Sequence, residues 1–451
     1  MNYFDVLPGD VVSIILTNLN PFESRIFIDV YNNSDSLNYK YILSSKIKDK
    51  NTYNSIINEN PINNSYDYIA IISTYNRSNN FKDLRKTYEL IEYSTPYYDH
   101  YSKNILSDIV YLYNLEKIQF RSYKLKVPKE IKFLINLKSI YLCKTDLNKI
   151  PEELYTLINL KELSLSDNRL KSISNSINNL TNLKHLDISN NKIKTVYLNL
   201  PNLKELNLKN NMLLNNRVDI TKMSSLTKLD LSYNENMGYI PIIKNNSMRY
   251  LDLSWCSINE ISGNILNYSG LEELYLETNK IGSVPPELYK LTNLIRLTLN
   301  RNPINYLDND ISKLVSLYRL KISYTGIVNL PNGISKLTSL MGIHLDGNNI
   351  EMIPKNIFKL IGLTSLDLSG NKISEIPVEI TKLKNLAYLE LNQNLISEIP
   401  EVITKLKNLE SLCLNYNQLR NYPEFLENSG LQTLEVNGNN ISHNDIGQFL
   451  F

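Results

Sequence analysis

Alanine is almost missing from this chain of 451 residues, occurring only at Ala70 and Ala387. Asparagine, isoleucine, lysine and tyrosine abound instead. That choice follows AT-rich codons and points to an AT-rich genome, such as that of a protist or a large DNA virus. Cysteine is scarce as well. Cys143, Cys256 and Cys413 lie more than a hundred residues apart, each in a different repeat, and read as ordinary positions in a reducing compartment rather than a disulfide set. The four histidines, His100, His185, His344 and His443, have no metal-ligand spacing with cysteine or carboxylate. With 14 glycines there is neither a P-loop nor a Gly-x-Gly-x-x-Gly turn to cradle a phosphate. No catalytic motif is present, so neither enzyme activity nor a cofactor is expected.

Charge of one sign is lacking too. A formal net charge of +2 leaves no basic footprint for nucleic acid and no acidic one for a basic partner. No stretch approaches the roughly 18 apolar residues of a membrane span. The opening Met1-Asn-Tyr-Phe-Asp-Val-Leu-Pro has no basic region followed by an apolar run, as a secretory signal would. An intracellular, cytoplasmic protein without membrane contact is expected.

What the sequence has in plenty is one phrase, Leu-x-x-Leu-x-Leu-x-x-Asn-x-Leu. Its clearest copy runs from Leu363 through Leu366, Leu368 and Asn371 to Ile373, followed by Ile376-Pro377. Fifteen copies begin at 115, 137, 160, 183, 203, 226, 248, 271, 294, 317, 340, 363, 386, 409 and 431. This pattern and its near-constant period are the mark of a leucine-rich repeat solenoid. The expected fold is therefore α/β, a horseshoe with a parallel concave sheet over residues 115–451 and a small, mainly helical N-terminal region. Strands stacked at about 4.8 Å give an arc of roughly 65 to 70 Å. A solenoid of this length needs no division into globular domains, because each repeat buries its apolar face on its neighbours.

Counting the first leucine of each copy as position 0, the side chains at +3 and +5 point into the core. The Asn at +8 turns inward, where its amide donates and accepts at once for loop groups otherwise buried unpaired. Asn stands there in eleven copies; Thr145, Cys256 and Thr325 serve less completely, and Tyr123 falls in the first copy. Ile-Pro pairs such as Ile150-Pro151, Ile353-Pro354 and Ile399-Pro400 suit a convex-side turn needing no N–H from proline. With the Ile-x-x-Leu-x-x-Leu that follows, the array resembles the intracellular leucine-rich repeats of Ras-associated scaffold proteins. Lys117-Ile-Gln-Phe120 has the form of a phosphatase-docking peptide, but Ile118 and Phe120 occupy core positions.

Residues 1–31 form a short unit of their own. Leu7-Pro8-Gly-Asp10 leads into apolar residues at 11, 12, 15, 16 and 19, a helical stripe that Asn20-Pro21 ends. This stretch resembles an F-box, though its usual Val-Cys-(Lys/Arg)-x-(Trp/Phe) ending has become Val30-Tyr-Asn-Asn-Ser34. The resemblance implies that Leu7, Pro8, Ile15 and Leu19 contact a Skp1-type adaptor of a cullin ubiquitin ligase. The solenoid would then hold the protein target. Residues 32–114 read as a mixed, mainly helical connector or cap.

On each strand the side chains at +2, +4, +6 and +7 alternate away from the core. Most copies carry small or polar residues there. The copies at 226, 248 and 271 instead present Tyr233, Tyr250, Trp255 and Tyr275, and the next two present Arg296, Arg301, Arg319, Lys321 and Tyr324. Aromatic and arginine side chains are the commonest interface anchors, so this is the expected target-binding surface. Asp187, Asp230 and Asp252 lie on the +4 lane beside it. Two functions follow. One is the substrate-recognition subunit of an SCF-type ubiquitin ligase. The other is a plain scaffold for a signalling protein, a small GTPase or a phosphatase, with the N-terminal helices as a cap.

Overall fold

A computed structural model of the chain describes residues 116–120, 127, 129–243, 245–427 and 429–441. The F-box-like stretch, with Leu7, Pro8, Ile15 and Leu19, and the connector 32–114 lie outside the described residues. Two compact units divide the chain: residues up to Lys194 with Leu198–Asn207, and Thr195–Tyr197 with everything from Leu208.

In the first unit the strands Lys117–Phe120, Ser139–Leu142, Glu162–Ser164, His185–Asp187 and Glu205–Asn207 pair in parallel, each with the next. The second unit repeats this from Lys228–Asp230 through Tyr250–Asp252, Glu273–Tyr275, Arg296–Thr298, Arg319–Lys321, Gly342–His344, Ser365–Asp367, Tyr388–Glu390 and Ser411–Cys413 to Thr433–Glu435. The register is set by the repeat itself: Leu274 faces Leu297, and Leu366 faces Leu389. A slip by one residue would turn every core leucine out to solvent. Leu366, Leu368, Leu389 and Leu391 are fully buried, as is Ile118 of the docking-peptide look-alike.

The chain returns from one strand to the next through short 3-10 helices. Pro151, Pro331, Pro354, Pro377 and Pro400 each stand just before one, at Glu152–Thr156, Asn332–Lys336, Lys355–Lys359, Val378–Lys382 and Glu401–Lys405. The proline carbonyl accepts the first i→i+3 bond, as from Ile357 N to Pro354 O at 2.9 Å, while its missing N–H is not needed there. Where the repeat shortens after Leu183, Val196–Tyr197 takes the place of a 3-10 turn and pairs with Val218–Asp219.

Asparagine holds these coils together from inside. Asn371 Nδ2 donates to the carbonyls of Leu345, Leu368 and Ser369 at 3.0, 2.9 and 3.2 Å, and its Oδ1 accepts from Ile350 N at 3.0 Å. Asn279, Asn302, Asn394 and Asn417 repeat this set with their own neighbours. At the Cys256 position burial pushes the thiol up to about 12, so it stays protonated, and Sγ lies 3.1 Å from Leu231 O. Thr145 and Thr325 donate to the carbonyl three residues back, at 3.0 Å in each case. A second asparagine row lies just before the strands. Asn159, Asn182, Asn385 and Asn408 donate from Nδ2 to a carbonyl of the preceding coil, at 2.8 to 2.9 Å.

Two substitutions separate the apolar core from the amide row in a urea melt. Leu366→Ala is expected to cost about 2–5 kcal/mol as a core truncation. Asn371→Asp hardly changes volume but sets carboxylate oxygens against the carbonyls of Leu345 and Leu368. It is expected to cost at least about 1–3 kcal/mol, and an unchanged melt would remove the amide row from the account of stability.

Candidate protein-recognition face

The turn that closes each strand decides which side chains reach solvent. Position +7 adopts a left-handed backbone: Lys144, Asp167, Asn190, Asn210, Tyr233, Trp255, Thr278, Arg301, Tyr324, Gln393 and Tyr416 all have φ between 51° and 59°, and Gly347, Gly370 and Gly438 fill the same position. Glycine enters this region freely and asparagine at little cost, whereas a bulky side chain costs roughly 1–2 kcal/mol. Tyr233, Trp255, Arg301 and Tyr324 thus stand where glycine is the cheapest residue. Glycine in three copies and asparagine in two are its only sign in the sequence; the turn imposes the state on the other residue types as well.

The structure brings the candidate residues together in linked groups, all in the second unit. Tyr233 and Trp255 stack, with ring centroids 5.5 Å apart and planes 9° from parallel. Their exposures are 42% and 38%, so the stack offers a face to solvent. Tyr250 and Tyr275 form a second, tilted pair at 5.3 Å. They are half-buried, more so than a solvent-facing reading of the strand implies, because each packs against its neighbour one strand away. Lys209 and Lys228 place Nζ 5.1 Å from the Tyr233 and Tyr250 rings.

The arginines follow. Arg296 lies 3.6 Å from Glu273, which also accepts from Tyr275 Oη at 2.6 Å. Arg301 sits over the Tyr324 ring at 4.6 Å. Arg319 is in register with Arg296 and extends over Gly342. None of the ion pairs among the described residues involves Arg319 or Lys321. The +6 lane corrects the sequence reading in part: Ser189, Ser232 and Ser323 are buried. Ser232 and Ser189 also donate their N–H to Oδ1 of the aspartate two residues earlier, at 2.9 and 3.0 Å.

Asp230 and Asp252 occupy facing positions on neighbouring strands. Burial, then the charge of Asp230, pushes the Asp252 carboxyl above its ordinary value, against hydrogen bonds from Ser254 that favour the charged form. Tyr250 is pushed up by burial and by both aspartates. Two half-buried like charges on an aromatic floor cost stability and attract a cation. An apolar edge escaped the sequence reading. Ile295, Tyr318 and Met341 are exposed at +1 on three successive strands, beside Arg296 and Arg319. The signal was available, since the other copies carry Lys, Arg, Glu, Thr, Gln or Ala there.

Coils of parallel strands, an asparagine row and a variable outer strand face define the class: a leucine-rich repeat solenoid. Family patterns agree along the chain. A leucine-rich repeat region matches residues 343–446, a leucine rich repeat matches 135–193 and 269–327, and a further such repeat matches 222–239 and 244–260. A leucine-rich repeat protein of Leptospira interrogans is similar at 32% identity, over 75% of this chain and 88% of that one, with a TM-score of 0.66. This chain belongs to the leucine-rich repeat proteins. Such repeats are generally non-catalytic interaction modules. The Arabidopsis receptor kinase HAESA, in complex with the peptide hormone IDA and the co-receptor SERK1, is similar at 27% identity over 74% of this chain and 59% of that one, with a TM-score of 0.55. An internalin of Listeria monocytogenes shares the fold at 24% identity, over 72% of this chain and 87% of that one, with a TM-score of 0.56. No curated protein matches the sequence. Among the described residues, no helix is long and apolar enough to cross a membrane.

Trp255→Gly exchanges a stacking contact worth about 0.5–1.5 kcal/mol for relief of a left-handed penalty of about 1–2 kcal/mol. The area that the ring covers is lost as well, so the melt is expected to fall, but by less than the roughly 3–5 kcal/mol of a core aromatic truncation. Asp252→Asn keeps Oδ1 for the Ser254 N–H, 2.9 Å away, and removes the charge. Because the folded carboxyl titrates above its unfolded value, protonation adds stability that is present below 3.8 and lost as pH rises through the folded value. The variant should therefore melt higher than the parent at pH 7, with the advantage vanishing below pH 3.8; melts across that range check the sign.

Proposed function

We propose that this protein is a non-catalytic recognition subunit whose solenoid binds a protein target through the strand face around Tyr233, Tyr250, Trp255 and Tyr275, with Arg296, Arg301, Arg319 and Tyr324 beside it. The observation that carries this reading is the set of rings and arginines gathered on one strand face in stacked and cation–ring pairs. Bulky side chains occupy left-handed positions there, and two half-buried aspartates face each other. Neither arrangement serves the core. Binding sites are where such costs are retained. The similar HAESA structure contains a bound peptide hormone, which supports a protein or peptide as the kind of ligand.

In the finer reading, residues 1–31 act as an F-box that docks on a Skp1-type adaptor, and the chain is the substrate-recognition subunit of an SCF-type ubiquitin ligase. The Leu7-Pro8 opening and the stripe through Ile15 and Leu19 support it. The Ile-Pro repeat subtype favours the scaffold reading, in which the same face holds a small GTPase or a phosphatase. A pull-down separates them. The full chain should capture a Skp1-type adaptor, and a chain lacking residues 1–31 should not. A folded full chain that captures none leaves the scaffold. In either reading Trp255→Ala and Tyr275→Ala should weaken capture of the target far more than the small loss of melting temperature that giving up their ring contacts brings.

A further inference from the structure

A different group of side chains lies beyond the arginines. His344 and Asp346 leave one coil at +4 and +6, and Asp367 leaves the next at +4, directly in register with His344. One ligand atom from each lies within 4.8 Å of the other two. His344 Nδ1 is 3.8 Å from Asp367 Oδ2, with side-chain exposures of 26% and 22%. We propose that His344, Asp346 and Asp367 bind one divalent transition-metal ion of the zinc or cobalt kind.

The donor set and its surroundings carry this. An ion about 2.1 Å from each of three ligands needs them roughly 3 to 4 Å apart, so small side-chain rotations gather the set. Each carboxylate already has one oxygen engaged: Asp367 Oδ1 accepts from Ser369 N at 3.0 Å, and Asp346 Oδ1 accepts from Ser323 Oγ. The other oxygen of Asp367 faces His344 Nδ1, where an ion would sit between them, and the bonded oxygen of each carboxylate fixes its orientation, as outer partners do in metal centres. One imidazole among the donors favours zinc or cobalt over magnesium or calcium, which prefer oxygen alone.

Gly342 stands at +2 of the first coil, and Gly347 and Gly370 stand at +7 of the two coils, so no side chain from those positions covers the group; the neighbouring Arg319 extends over Gly342 and the Tyr324 ring lies against Gly347, on the side away from Asp367. Three protein ligands leave coordination positions on the solvent side for water or for a donor from a bound protein. Two charged groups flank the set in register, Lys321 beside His344 and Glu390 beside Asp367. Lys321 opposes a cation, and its removal is therefore informative.

The site does not depend on the target-binding reading. Calorimetric titration of the full chain with cobalt chloride, followed by the visible absorption of bound cobalt, tests it. Expected are one equivalent of cobalt, displacement by zinc, and no effect of excess magnesium. Binding should be lost in His344→Ala and in Asp367→Asn, and Lys321→Met should tighten it several-fold. Circular dichroism melts of each variant establish that the chain is folded. A folded parent that binds no cobalt overturns the site and leaves His344 and Asp367 as an ion pair. Cobalt bound equally by folded His344→Ala also overturns it, placing the ion elsewhere.

Discussion

A carbonyl on the inside of a loop has to find a donor, and in most coils of this chain one asparagine amide supplies it. A leucine core alone cannot close such a coil, because the turn after each strand carries backbone groups into an apolar interior. The asparagine at +8 meets them with both ends of its side chain, within its own coil and toward its neighbours. The Leu positions make burial favourable, and the amide makes it permissible. Every other regularity, from strand register to the left-handed residue at +7, depends on that closure.

Once the inside is fixed, the outer face of the strands is released from structural duty. Coils from 340 to 370 use that freedom for small residues, with glycine at the left-handed position. Those from 226 to 324 use it for rings and arginines in the same backbone state. The contrast between Gly347 or Gly370 and Tyr233, Trp255 or Arg301 is a comparison made within one molecule. The same turn is built cheaply in one place and at a cost in another. Lys144, Gln393 and Tyr416 bear the same cost in other coils, so the turn itself, not the residue, sets the backbone state.

Much of the fold was legible because a fixed period is a statement about stacking. Leu363, Leu366, Leu368 and Asn371 read as one coil, and they form one coil in the structure. The outer-face residues could be named from alternation alone, since +2 and +4 must share a side of a strand. What stayed hidden depended on closure. The inward turn of Ser232 and the left-handed state of Trp255 come from the geometry of a loop, not from residue type. The grouping of His344 with Asp367 was hidden for another reason: metal motifs are recognised by short spacings, and a solenoid brings ligands together one whole coil apart. The exposed edge of Ile295, Tyr318 and Met341 was readable from the sequence, but it stands at +1, outside the lanes that alternation picks out.

The shortened step after Leu183 shows where such a chain can absorb change over evolutionary time. Its strand and its asparagine keep their spacing, and the missing residues come out of the return path, which switches from a 3-10 turn to a short extended pair. A single-residue insertion between a coil's first leucine and its asparagine would break the hydrogen-bonded row. Duplication of an entire coil would leave every bond with an equivalent partner. Genes for such proteins are free to lengthen by copying whole units, and each copy adds one strand of fresh surface on which selection can act.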